Sequence, residues 1–194
     1  MLGDAEAVEA FRTVLEECRT ASPTVDSLFT RISAEGLPGN LWIGRDLVVT
    51  NFVDHEPGVE MVLVGRTVVD QPIPPSCLVD VADLIALREW HQQCSWTWPD
   101  TLECGVLAHV LGEFLANCRG ERDAHAAGLA AENRALRDVG AHATVRRSFV
   151  KGAEDTPRIE RAIVVDGVTH REVIQADSHG RIVSVTCVAE GSEP

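Results

Sequence analysis

The stretch from Arg158 to Gln175 constrains the fold more than any other. Two runs rich in β-branched residues, Arg158-Ile-Glu-Arg-Ala-Ile-Val-Val165 and Val168-Thr-His-Arg-Glu-Val-Ile-Gln175, flank Asp166-Gly167. Both central residues of a type I′ turn need positive φ, which Asp-Gly accepts, so the segment reads as a hairpin with a two-residue loop. That turn sets the register: Val165 faces Val168, Ile163 faces His170, Arg161 faces Glu172 and Ile159 faces Ile174. Side chains alternate along a strand, so these eight share one face. It is apolar at its ends and carries an arginine, a glutamate and a histidine between.

Upstream, Asp4 caps an amphipathic helix over 4–20, with Val8, Phe11, Val14, Leu15 and Cys18 on one stripe. Ser22-Pro23 restarts the helix, with Val25, Leu28, Phe29 and Ile32 as the next stripe. Leu41–Ile43 with Leu47–Val53, and Val59–Val69, read as extended runs joined by a hairpin turn at Asp54–Gly58. Gln71-Pro-Ile-Pro-Pro75 is an extended linker. Helical spacing returns over 78–93 and again after a cap at Asp100 or Thr101, where Leu107, Val110, Leu111, Phe114 and Cys118 form a stripe. Residues 121–138 are good helix formers with mostly small residues to bury. Ala143–Val150, the hairpin and Arg181–Ala189 complete the chain as strands.

This order implies one α+β domain over 1–194. N-terminal and central helices pack on a curved antiparallel sheet that ends in a C-terminal four-strand meander. It subdivides into N-terminal helices and hairpin (1–71), a helical region (76–140) and the C-terminal meander (141–190). The order resembles the NTF2-like cone, in which helices close one side of a bent sheet around a pocket. That resemblance is one of shape, and it implies a cavity without naming a reaction.

The formal net charge of −13 argues against wrapping nucleic acid or binding an anionic membrane, both of which call for basic patches. No apolar run approaches the roughly eighteen residues of a membrane span. Met1-Leu-Gly-Asp-Ala-Glu is acidic where a secretory signal is basic and then apolar. Cys18, Cys77, Cys94, Cys104, Cys118 and Cys187 are scattered, several at apolar positions. They read as reduced thiols in a cytoplasmic protein.

Arg161, His170 and Glu172 are the candidate catalytic residues: His170 as general base, Glu172 as its partner, Arg161 as holder of an anionic group. The plainer reading is an exposed cross-strand ion pair, worth at most ~1 kcal/mol, with a passenger histidine. Trp90, Trp96 and Trp98 are candidate ligand-binding residues walling a pocket, or else packing at a joint between helices. His91-Gln-Gln-Cys94 with Cys104 and His109 offers zinc-ligating residue types. However, Cys104 and His109, five apart on a helix, point about 140° away from each other. No metal and no cofactor is expected. Cys77 and Cys94 are weak nucleophile candidates, because no third, orienting group can be assigned to either.

Two functions follow. One is a small-molecule pocket protein that binds a small organic ligand, or processes it without a cofactor by proton transfer, cyclisation or hydrolysis. The other is a non-enzymatic interaction or assembly subunit, a homodimer included, using the acidic surface and the 121–138 helix. Leu115, Leu129 and Leu136 of that region recur at multiples of seven.

Overall fold

The computed structural model describes residues 1–45, 55–56, 59–62, 67–68, 71–72, 76–93, 103–140, 145–151, 157–165, 168–176 and 182–189. Helix α1 (Ala5–Ala21) starts where the Asp4 side chain accepts from the N–H groups of Glu6 and Ala7. Helix α2 (Pro23–Ala34) starts where Ser22 Oγ accepts from Val25 N–H, with Pro23 in the first turn. Both are the starts that the capping residues imply. Ala7, Phe11, Val14, Leu15 and Cys18 of α1 and Val25 and Leu28 of α2 are buried.

Helix α3 (Val81–Gln93) is followed by α4 (Glu103–Cys118) and α5 (Ala124–Asp138). Helix α4 is the centre of the molecule. Every residue from Glu103 to Gly112, and again from Phe114 to Ala116, is buried. A helix wrapped by neighbours has no wet face, which is why its sequence carries more than a single apolar stripe. Helix α5 closes on it through small residues: a Cβ added to Gly112 would stand 2.8 Å from Ala131 Cβ, and one added to Gly105 2.9 Å from Leu136 Cδ2. At the far end of α5, Asp138 Oδ2 accepts from Ser22 Oγ at 2.7 Å and from Thr24 N–H at 2.9 Å. The joint between α1 and α2 is thus held by the last turn of α5.

The strands are β1 (Leu2–Gly3), β2 (Asn40–Gly44), β3 (His55–Glu56), β4 (Val59–Val62), β5 (Thr67–Val68), β6 (Gln71–Pro72), β7 (Ser76–Asp80), β8 (Val145–Lys151), β9 (Pro157–Val165), β10 (Val168–Ala176) and β11 (Ile182–Ala189). The fold is α+β, but its strands do not form one antiparallel sheet. An N-terminal sheet of order β1-β2-β7-β4-β3 is mixed: β1 with β2, and β2 with β7, are parallel, whereas β4 runs antiparallel to β7. The antiparallel expectation fails because parallel neighbours need no tight turn and leave no local signal. Ser76–Asp80 is strand where the helical spacing had suggested a helix from 78. Asp80 is the end of that strand and accepts from Ala82 N–H at 2.9 Å. Residues 46–54, part of the expected first hairpin, lie outside the described residues; His55–Glu56 pairs with Val59–Glu60.

In the C-terminal sheet β9, β10 and β11 are antiparallel neighbours, and β8 is registered antiparallel to β9. The β9–β10 register is the one the Asp-Gly spacing dictates, with Val165 opposite Val168, Ile163 opposite His170, Arg161 opposite Glu172 and Ile159 opposite Ile174. Ile163, Glu172, Ile174 and, on β11, Val185 are buried, so this face turns inward. Ile174 and Val185 join the apolar cluster built on α1, α3 and α4.

The cysteines are not all reduced. Cys18 on α1 and Cys104 on α4 form a disulfide, 86 positions apart, and Cys187 is also disulfide-bonded. Nothing in the local sequence around either half of the Cys18–Cys104 bridge announces it; the pairing follows from α1 lying against the buried start of α4.

Candidate functional site

Glu172 sits at the middle of β10 with 2% of its surface exposed. A carboxylate there is costly unless it is bonded. It is met by His91, itself 7% exposed, on the last turn of α3, and His91 Nε2 hydrogen-bonds Glu172 Oε1. The helix brings His91 inward with Leu84 and Leu87, both fully buried, at the spacing of one helical face. Where the carboxylate accepts, Nε2–H is the donor, and in a neutral ring Nδ1 then carries the lone pair. Nδ1 is buried and has no hydrogen-bond partner among the described residues.

The sequence pairs Glu172 with His170; the carboxylate instead joins His91, which the sequence places on one helix face with Leu84 and Leu87 and among the zinc-ligating residue types. His170 occupies the next inward position of β10 and is half-buried. Arg161 is registered directly across from Glu172, with Arg147 of β8 registered across from Arg161 and Cys187 of β11 on the other side of Glu172. Trp90 on α3 is half-buried against the apolar core. Trp96, Trp98 and Cys94 lie outside the described residues. Cys77 is fully buried in the core on β7, between β2 and β4, which removes the exposure a thiolate nucleophile needs. Burial likewise pushes the Cys118 thiol up.

A second polar cluster lies between α4 and α5. His109 Nδ1 is 3.1 Å from Glu132 Oε2, and Nε2 is 3.1 Å from Glu113 Oε2. His125 Nδ1 stands 3.5 Å from the same Glu113 oxygen, and the two imidazoles meet edge to face at 5.0 Å. Glu132 is fully buried and His109 nearly so. Burial alone would raise the Glu113 carboxyl, but the His109 hydrogen bond and the charges of His109 and His125 outweigh it and hold that carboxyl below the ordinary range. Gly128 makes room for the His109 ring, since a Cβ there would come within 2.9 Å of it. The His109-x-x-x-Glu113 spacing was legible as a shared helix face; its completion by α5 depended on how two helices dock.

A third buried charge is Glu103, 1% exposed, which accepts from Arg88 Nε at 2.9 Å. Arg88 also reaches Glu17 at 2.6 Å. This network ties α1, α3 and α4 together beside the Cys18–Cys104 bridge.

The small-residue stripe of α5, which the sequence offered as a face for a second copy, packs on α4 of the same chain: Ala124, Gly128, Ala131 and Ala135 are all buried. Leu129 is half-buried. Among the described residues, no helix is long and apolar enough to cross a membrane. Comparison with protein-family models, with curated proteins and with solved structures finds no match.

Proposed function

We propose that the chain binds a small organic ligand between α3 and the inner face of the C-terminal sheet and processes it by cofactor-free proton transfer, cyclisation or hydrolysis. His91 is the base in this reading. Its Nε2–H donates a hydrogen bond to Glu172, so Nδ1 of the neutral ring offers a lone pair, and the carboxylate behind the ring stabilises the imidazolium formed when a proton is taken. The observation that carries the reading is that Nδ1 atom, buried and without a partner among the described residues. A buried polar atom of this kind calls for a ligand or a water. His170 supplies a second imidazole on the same strand face, and Arg161, across from Glu172, holds an anionic group. The enclosure is the cone-like one that the element order resembles.

Native mass spectrometry of the purified chain is the test. A copurifying small molecule retained by the wild type and lost from His91→Asn supports the reading, and a bare mass in the wild type overturns it. Where His91→Asn does not fold, Glu172→Gln keeps the side-chain shape and serves in its place. The competing role, as an interaction or assembly subunit, has less behind it because the small-residue face of α5 is already covered by α4. Light scattering of the wild type and Leu129→Asp tests that role: a monomer in both removes it.

A further inference from the structure

The cluster between α4 and α5 is independent of the His91–Glu172 pair and has the composition of a metal centre. His109, Glu113 and His125 each bring a ligand atom to within 4.8 Å of the others. Tetrahedral ligands at ~2.0–2.1 Å from an ion stand ~3.4 Å apart, and the Glu113 oxygen is 3.1 Å from His109 Nε2 and 3.5 Å from His125 Nδ1. A second observation lies behind the cluster. The Glu132 carboxylate is 0% exposed and faces the other ring nitrogen of His109. That is the arrangement in which a carboxylate fixes the tautomer of a ligating histidine, so that Nδ1–H donates and Nε2 presents its lone pair.

Proton bookkeeping leaves room for an ion as well. Both nitrogens of His109 face carboxylate oxygens at 3.1 Å. A neutral imidazole has one proton and can satisfy only one of them. Either His109 is an imidazolium between two carboxylates, or one of the two carboxyls is protonated, or a cation sits between Nε2 and Glu113.

We propose that His109, Glu113 and His125 bind one divalent transition-metal ion, with Glu132 orienting His109. Two imidazoles and one carboxylate in a tetrahedral set suit zinc. The site opens outward: the His125 side chain is 55% exposed and that of Glu113 19%. A fourth position is therefore left for water or a substrate oxygen, as in zinc sites that do chemistry rather than brace a fold.

The test is zinc titration of the full chain after dialysis against a chelator, by calorimetry and by metal analysis of the refiltered protein. One zinc per chain is expected. His125→Ala and Glu113→Gln, which change exposed or half-buried side chains and spare the buried pair, are each expected to weaken binding at least about tenfold. Cobalt in place of zinc is expected to give the visible absorption of a tetrahedral site, lost in both variants. A wild type that holds no stoichiometric zinc overturns the proposal and leaves an arrangement held by protons alone. Zinc held equally by the wild type and both variants places the metal elsewhere and overturns it too.

Discussion

His91 Nε2 on α3 and Glu172 Oε1 on β10, 81 positions apart in sequence, share a hydrogen bond inside the protein. Removing one partner strands a buried polar or charged group, which costs about 3–5 kcal/mol, whereas replacing both by apolar groups is often near neutral. Glu172→Leu and His91→Leu are each expected to lower the urea midpoint strongly, and the double variant to recover most of the loss. Additive losses would mean that the two side chains do not act as a pair.

The same reasoning applies to Arg88 and Glu103. Arg88→Met leaves the 1%-exposed Glu103 carboxylate without its guanidinium, and a loss of about 3–5 kcal/mol follows. Glu17, the outer partner of Arg88, is 48% exposed, so Glu17→Gln is expected to cost under about 1 kcal/mol. Denaturant titrations with unchanged slopes would measure both.

The Cys18–Cys104 bridge closes a loop of 86 positions. On the chain-entropy account a loop of that size stabilises by roughly 4.5 kcal/mol. A non-reducing digest is expected to yield a linked peptide carrying both residues. A Cys18→Ala, Cys104→Ala variant is expected to melt well below the wild type. Equal melting temperatures would show that the bridge does not form.

At the α1–α2 joint, partial burial works against ionising Asp138, but the bonds from Thr24 and Ser22 outweigh it and hold its carboxyl below the ordinary range. A depressed folded-state pKa means that this stabilisation is complete above the unfolded value of about 3.9 and fades as pH falls through the lower folded one. Asp138→Asn is therefore expected to be less stable than the wild type at neutral pH, with the gap closing in acid. A gap that persists unchanged below pH ~3 would assign the loss to packing.

Gly128→Ala would place a methyl 2.9 Å from both the His109 ring and its carbonyl oxygen. Overpacking of this kind costs about 1–3 kcal/mol. Thermal melts are expected to show that loss, and a neutral result would mean that α4 and α5 can part without penalty.

What was legible in the sequence was local. Asp4 and Ser22 announced two helix starts, and Asp166-Gly167 fixed the whole β9–β10 register. The parallel placement of β2 beside β7 was hidden, because parallel neighbours are joined by a long crossover and not by a tight turn next to either strand. The inward face of β10 was also legible, but the partner of Glu172 was not. That partner is set by where α3 crosses the sheet, a contact between distant segments. Cys18 with Cys104, and His109 with Glu132, were missed for the same reason.

The latch at Asp138 has a consequence for how the protein comes to be made. Chains emerge from the ribosome N-terminus first, so the first two helices exist before the carboxylate that clasps their elbow has been synthesised. Until residue 138 is out, that elbow has only its own contacts, such as Arg19 with Asp26, to hold it. The angle between the first two helices is therefore clasped only once α5 has been translated and docked.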